Sequence, residues 1–406
     1  MTNFADSALS YLDRFADSTA RVQAWNAFTA LGLPTTTDEV WRYAPLGDLD
    51  LDRFRVASET VLPALTPLAS AMAERAGLVV RLVDGHLSAL EGELAGVSVS
   101  AVPSQWSAKY ASDAFALLNC ALAPASVEVS IADDAHVVAP IVILNTVTGG
   151  AAFPQIHVRA GRSSQASIVE YVDGGVDALV VPLSEYDLAE NSSLQVSTYQ
   201  RLDASAWHVA RSTGRVGRDA RLRQAVISIG GHYNRSRNDA EFLAPGGENE
   251  LRTTFLGSGN QVHDFRTRQF HGVGRTRSTL LSKGAVADRS RSVYTGLIEI
   301  EKGAKRTDAR QTNHNLLLSP HAHADSVPNL DIRENDVMCA HASSVGPLDE
   351  LQRWYLESRG VSRPDAERLM IQGFFYEMLA TLPADLAGVV ERDLGEVLGL
   401  VEIVTP

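Results

Sequence analysis

The stretch from Gly284 to Gly346 constrains this chain more than any other, because two copies of one frame run through it. Gly284-Ala285 recurs as Gly303-Ala304 and Arg291 as Arg310; the apolar set Leu297, Ile298 and Ile300 recurs as Leu316-Leu317-Leu318, shifted by one residue at its end. A register held over about nineteen residues is too short for a strand-helix-strand unit and fits one coil of a β-solenoid. In such a fold each coil lays its Leu or Ile on the equivalent residue of the coil before. Burial of each contributes roughly 1.5–3 kcal/mol, which stacked coils can use and a lone coil cannot.

The surrounding sequence fits that frame. From Ala125 to Leu348 short runs with strand character follow one another, at residues 127–131, 141–144, 167–171 and 194–199. Polar or Gly-containing corners part them, as in Gly161-Arg162-Ser163-Ser164 and Gly217-Arg218-Asp219-Ala220. No long amphipathic helix interrupts the run, which excludes a doubly wound α/β fold and leaves a sandwich, a barrel or a β-helix. The repeated frame decides for the β-helix.

Before this region, Leu9, Leu12, Phe15, Val22, Trp25 and Phe28 recur at helical spacing, closed by Gly32 and Pro34. Alternation at 78–83 and 97–102 predicts strands, with Asp84-Gly85 as a tight turn, and residues 114–122 read as a short helix. After it come three helical stripes. The first holds Leu348, Leu351 and Tyr355 and ends at Gly360; the second holds Ala366, Leu369, Met370 and Phe374; the third runs from Pro383 through Leu386, Val390 and Leu394 to Leu398. The predicted class is therefore mainly β, a parallel β-helix flanked by helical segments. Its expected divisions are an N-terminal helical and mixed segment at 1–124, the β-helix at 125–347 and a C-terminal helical domain at 348–406. Because a solenoid has two open ends that invite strand pairing, the C-terminal helices are expected to cap one of them.

Composition excludes several functions. A formal net charge of -13 argues against nucleic acid as a partner, since phosphate neutralisation needs clustered Lys and Arg. The two cysteines, Cys120 and Cys339, are too few and too far apart for a disulfide framework. No run approaches the ~18 apolar residues of a membrane span, and the first residues lack the basic start and apolar core of a secretory signal. The expectation is a cytoplasmic protein without a membrane partner. Gly230-Gly231, Gly246-Gly247 and Gly272-Val273-Gly274 open no helix, so no nucleotide-cradling loop is read there.

One pair of residues carries chemistry. Cys339 and His341 stand two apart where a strand is predicted, so both project from one face while Met338 and Ala340 face away. Thiolate and imidazole are both ligands for iron or zinc. Two ligands are half a site, and the remainder has to come from elsewhere, most simply from another chain at this edge. Read as packing, the pair would be a small buried Cys and a satisfied core His. Cys120, in an apolar run, reads as packing; His314, His321 and His323 read as solvated corner residues rather than a metal face with His341; Arg289 and Arg291 beside Asp288 read as a corner ion-pair network.

Residues 41–46, 307–319, 336–349 and 355–361 (WRYAPL, TDARQTNHNLLLS, DVMCAHASSVGPLD and YLESRGV) together resemble stretches of the SufD branch of the SufB/SufD family of iron-sulfur cluster assembly proteins. Trp41-Arg42-Tyr43-Ala44-Pro45-Leu46 is similar to that family's W-[KR]-Y-x-P-L, and residues 307–319, TDARQTNHNLLLS, to its T-D-A-x-Q-x-N-x-N-L-L-L-S. Asp336 to His341, followed by Val345-Gly346-Pro347-Leu348-Asp349, resembles D-V-x-C-x-H-G-x-x-V-G-x-L-D, and Tyr355 to Val361 resembles Y-L-x-S-R-G-I. Ala342 stands where the family usually has Gly, His314 where Arg is common, and His321-Ala322-His323 is no family feature. The resemblance implies a right-handed β-helix and a non-catalytic scaffold that partners a SufB-like subunit and a SufC-like ATPase. It implies that Cys339 and His341 lie at the SufB-facing edge, where a transient Fe-S cluster or iron is handled, with no cofactor held by the isolated chain. It implies that Tyr355, Arg359, Gly360 and Phe374 lie in the ATPase-binding region, and that the chain can form a homodimer through the same edge when its partners are absent. The residues alone leave two other readings: a β-helix carbohydrate-active enzyme, which needs paired carboxylates on an exposed sheet, and a plain structural or interaction solenoid.

Overall fold

The computed structural model describes residues 3–15, 19–58, 61–104, 107–379 and 382–397. Its centre is a parallel β-solenoid of about eight turns built from two sheets. The ten-stranded sheet opens with the antiparallel hairpin Leu78–Val83 and His86–Gly92, turned at Asp84 and Gly85, and ends at Val337–Gly346. The eleven-stranded sheet opens with Val97–Val102, antiparallel to Ser126–Ile131, and ends at His323–Ile332. Between these ends the chain alternates from one sheet to the other, and each strand pairs in parallel with strands of the coils before and after it.

The coil is longer than the sequence frame predicted. Gln165, Ser193, Arg221, Glu248, Arg277 and Asp308 occupy one register position in successive coils, which sets a coil at 27 to 31 residues. Gly284 and Gly303 are not equivalent: Gly284 lies inside Arg277–Val286 beside Asn315, whereas Gly303 lies in a corner with φ +95. A full coil needs two strands of about ten residues and two corners, so a nineteen-residue spacing relates a strand to a corner. Gly284 has its own steric reason. A Cβ there would sit 1.8 Å from the Phe255 ring of the coil below.

The true repeat is carried by the corner that leaves the eleven-stranded sheet. Asp134, Ser163, Asn191, Asp219, Gly246, Arg275 and Arg306 stack there, one per coil, every one with positive φ. Their N–H groups donate to carbonyls of the next coil, as from Ser163 to Glu190 (3.0 Å), Arg275 to Lys305 (2.8 Å) and Arg306 to Asp336 (2.6 Å). The next residue is small, and buried in every coil but the one at Ala135; where it is Ser164, Ser192, Thr276 or Thr307 its hydroxyl donates back to a carbonyl three residues earlier.

The helices cover flanks rather than ends. α1 (Phe4–Leu12), α2 (Thr19–Leu31) and α4 (Ala114–Leu122) bury Phe4, Trp25, Phe28 and Phe115 in one core with Trp207, Val209 and Tyr233 of the eleven-stranded sheet. α3 (Pro67–Ala73) and α7 (Ala384–Val397) cover the outer face of the ten-stranded sheet, joining Met72, Val390 and Leu394 to Val142, Tyr171, Tyr199 and Ile227. α6 (Arg363–Leu379) lays Phe374 and Phe375 on Leu256, Ala285, Leu316 and Leu318. Runs such as Ile141-Val142-Ile143-Leu144 are apolar on both faces, so their outer face has to be covered. That need draws the C-terminal helices to the side of the solenoid, and the expected end cap does not form. α5 (Glu350–Ser358) buries none of its residues, and residue 398, the last of the third stripe, lies outside the described residues.

Candidate functional site

The last coil is open. Strand Val337–Gly346 pairs on one side only, and its register sets Cys339 beside Ala309, His341 beside Gln311 and Ser343 beside Asn313. Ala309, Gln311 and Asn313 are almost wholly buried and share the inward-facing parity of the strand. Cys339 and His341 therefore share a face, and it is the inward one. They meet solvent because, among the described residues, no further coil lies on them. Met338, on the other parity, is 61% exposed.

The two side chains differ in setting. Cys339 is half-buried against Ile298, Ile300, Ala304, Ala309 and Leu330, and that desolvation, with the Asp308 carboxylate adding to it, raises the thiol above its ordinary range. That shift favours the protonated thiol. His341 is exposed and makes no side-chain hydrogen bond among the described residues. Beside it Ser343 donates to Ser326 Oγ (2.7 Å) and Asn313 Nδ2 donates to the same oxygen (2.9 Å), tying the two terminal strands together. Among the described residues no group of three His, Cys, Asp or Glu is placed to hold a metal ion. The last coil offers an S,N pair and no further ligand.

The other histidines do not join it. His314 takes the opposite parity, bonded through Nδ1 to Ser344 Oγ (2.6 Å), with its pKa lowered by burial and then by Lys283. His323, at a strand start, lies 3.3 Å from Asp325, and His321 is in an exposed corner. The corner network also differs from expectation. Arg291 grips Asp325 through Nε (2.9 Å) and Nη2 (2.5 Å), while the Asp288 carboxylate accepts from the Gly259 N–H (2.8 Å).

On α5, Asp349 caps the helix by accepting from the N–H groups of Leu351 and Gln352. Leu351, Trp354 and Tyr355 are exposed by 77, 65 and 55%, which leaves an apolar surface largely uncovered by the described residues. The Arg359 guanidinium lies 5.2 Å from the Tyr355 ring, and Gly360 ends the segment at φ +88. Phe374 is set apart from these. It packs on the ten-stranded sheet, under the Lys283 ammonium at 5.1 Å.

Sequence reasoning missed two arrangements. Trp41 lies on Phe115 (5.2 Å) and under the Arg235 guanidinium (3.8 Å); Arg235 and Arg266 bind the buried Asp264 at 2.6 and 2.5 Å, and Tyr233 donates to it at 2.9 Å. The Trp41 motif thus clamps the N-terminal segment to the sheet. A cleft of about 320 Å³ on the same sheet holds Lys109, Tyr110, Glu128, His157, Glu185 and Arg215. Glu185 and Asp187 share an outward face, a pairing the sequence hid among alternating residues of four strands. Both are held ionised: Lys109 and Arg215 offset the desolvation of Glu185, and His157 and Arg215 that of Asp187, keeping both carboxyls below their usual range. Glycoside hydrolysis requires a protonated partner as well. This pair supplies none.

The SufBD core domain of the SUF system for FeS cluster assembly matches residues 142–374. An iron-sulfur cluster assembly SufBD family protein of Mycobacterium tuberculosis is 30% identical over 87% of this chain and 86% of its own. The iron-sulfur cluster assembly protein SufD of Escherichia coli is 26% identical over 86% of each chain, and SufD of Bacillus subtilis 31% over 60% of this chain and 57% of its own.

Proposed function

Because this chain belongs to the SufBD family of iron-sulfur cluster assembly proteins, we propose that it is the SufD-type scaffold subunit, docking a SufB-type subunit on its open last coil. The observation that carries this reading is the inward-facing placement of Cys339 and His341 on a strand whose outer edge has no partner among the described residues. A subunit that adds a coil there would enclose both side chains and could supply the missing ligands for the nascent cluster, which is the cargo of the assembly. Unpaired strand edges bind polypeptide by continuing the sheet. The scaffold supplies position and ligands, and ATP hydrolysis belongs to a SufC-type partner.

That ATPase is assigned to the exposed Leu351, Trp354 and Tyr355 of α5, with Arg359 and Gly360 completing the surface. Phe374 supports it from behind by seating α6. Among the described residues no helix is long and apolar enough to cross a membrane.

The test is co-expression with both partners. Cys339→Ser and His341→Ala should leave copurification intact and lower the cluster content of the complex, read by its visible absorption; full cluster content in both variants refutes the site. For the ATPase surface, Trp354→Ala with Leu351→Ala is the better probe, since deleting the helices would uncover Val142, Leu144 and Ile227. Undiminished capture of the ATPase by that variant removes α5 from the interface.

A further inference from the structure

The stacked corner described above changes character in its last two described members. The first five positions hold Asp, Ser, Asn, Asp and Gly, four of which are Asp, Asn or Gly, the residues best suited to positive φ, whereas the next two hold Arg275 (φ 58) and Arg306 (φ 59). Nothing in the corner's hydrogen bonding demands arginine, because the bond each makes is donated by its backbone N–H. Lys302 and Lys305 lie in the same corner of the last coils, and all four side chains are exposed. Most strand arginines of this protein grip a carboxylate; among the described residues no ion pair or side-chain hydrogen bond involves Arg275, Lys302, Lys305 or Arg306. The acids at hand are few. Glu334 accepts from the N–H groups of Gly303, Asn335 and Asp336, its pKa lowered by those bonds and lastly by Lys305, and Arg333 is taken up by Glu301 and Asp331. With Asp336, that sets four cations against two acids, in a chain whose net charge is -13.

The free chain thus bears three costs at one place: side chains in a backbone conformation they disfavour, like-charged residues on backbones about 4.8 Å apart in adjacent coils, and more cations than acids. Each is explained if the counter-charge arrives with a partner. We propose that Arg275, Lys305 and Arg306 receive an acidic segment of the subunit that docks on the open coil. This rests on the docking reading above and adds to it the chemistry of the partner's corner. The place favours a polypeptide over other polyanions, because Arg306 lies one coil below the open edge, its N–H on the Asp336 carbonyl, so that a segment of the docked subunit reaching past the last corner at 333–336 would meet Lys305 and Arg306. An acidic surface elsewhere repels nucleic acid.

The test is the double variant Arg275→Asn and Arg306→Asn, since Asn keeps the backbone conformation and removes the charge. Binding of the wild type and the variant to the SufB-type subunit is measured by stopped flow at about 50 and 300 mM salt. The variant should melt no lower than the wild type, associate about tenfold more slowly at low salt, and lose most of the salt dependence of the association rate. Equal association rates and equal salt dependence would overturn the proposal while leaving the docking reading standing. Absence of wild-type binding would sink the docking reading and this one with it. A variant that has lost affinity for a short DNA duplex but not for the subunit would assign the corner to nucleic acid and overturn the proposal as well.

Discussion

Acid should destabilise this protein before its ordinary carboxylates titrate, because three histidines are sealed in the solenoid as neutral rings. His208, bonded through Nδ1 to Asn234 Oδ1 (2.6 Å), His263, stacked on Phe255 at 5.5 Å, and His271, held by Thr276 and Ser278 at 2.7 and 2.9 Å, are all buried. Burial pushes each down to about 4 from an ordinary 6.5. Between those values the unfolded chain binds a proton at each ring and the native chain does not, so stability is full above pH 6.5 and is lost as pH falls toward 4. The whole shift is worth about 3 kcal/mol per ring, and the fall from pH 6.5 to 5.5 about 1 kcal/mol per ring, or about 3 kcal/mol for the three. That is a large part of a typical 5–15 kcal/mol stability. Glu170 works the other way: it is buried in the bore with its pKa raised by desolvation, so protonation favours the native state and offsets part of the loss at the acid end. Urea titrations at pH 7.5, 6.5 and 5.5 read the effect in a window where ordinary carboxylates stay ionised. The His208→Gln, His263→Gln, His271→Gln variant should be less stable at pH 7.5 and show a much flatter pH profile. A wild-type stability that is level from pH 7.5 to 5.5, or a variant with an undiminished slope, would refute the reasoning.

Three further outcomes are expected. Trp41→Ala should cost about 3–5 kcal/mol by emptying the space between Phe115 and Arg235, and limited proteolysis should then cut the N-terminal segment first; unchanged cleavage refutes the clamp. Gly284→Ala should lower stability by about 1–3 kcal/mol, as the new methyl meets the Phe255 ring, and the loss should shrink in a Phe255→Leu background, as a thermal melt series can check. In alkylation followed by mass spectrometry, Cys339 should label slowly at neutral pH and faster as pH rises past 9, whereas Cys120, wholly buried and pushed up to about 12, should stay unlabelled in the native protein.

The fold class was legible because short strands without intervening helices leave few architectures; the strands at 78–83 and 97–102 lie where alternation placed them, and those at 127–131 and 141–144 where short strand-like runs did. The coil length was not. Its marker, one residue per coil with positive φ, is filled by Asp, Ser, Asn, Gly or Arg, so no single letter marks every coil even though the backbone repeats. Parity on the last strand was legible in that Cys339 and His341 share a face. That this face is the inner one depends on register with Ala309 and Gln311, which no local pattern encodes. The helices were legible as helices; their seat on the flank follows from the outer faces of strands that lie hundreds of residues earlier in the chain.

That seat bears on how the last coil can work. A helix laid across the end would have buried Cys339 and His341 in the monomer, with the thiol fixed in its protonated state and no route for a second ligand. With the helices on the flank, the inward columns of the solenoid simply stop, at side chains that are half-packed from below and open above. On the proposed pairing, a subunit that continues the columns converts this surface into interior, removes water from the thiol and imidazole, and brings its own ligands at the same moment. Desolvation alone would push the Cys339 thiol still further from its thiolate, so a metal or other cation has to enter with the partner or before the seam closes. Metal-free pairing should therefore leave Cys339 less reactive toward alkylation than in the free chain. Pairing in the presence of iron should release a proton that the Cys339→Ser variant does not, measurable with an indicator dye in weakly buffered solution. Equal proton release from wild type and variant would show that the thiol does not ligate, and the open coil would then serve docking alone.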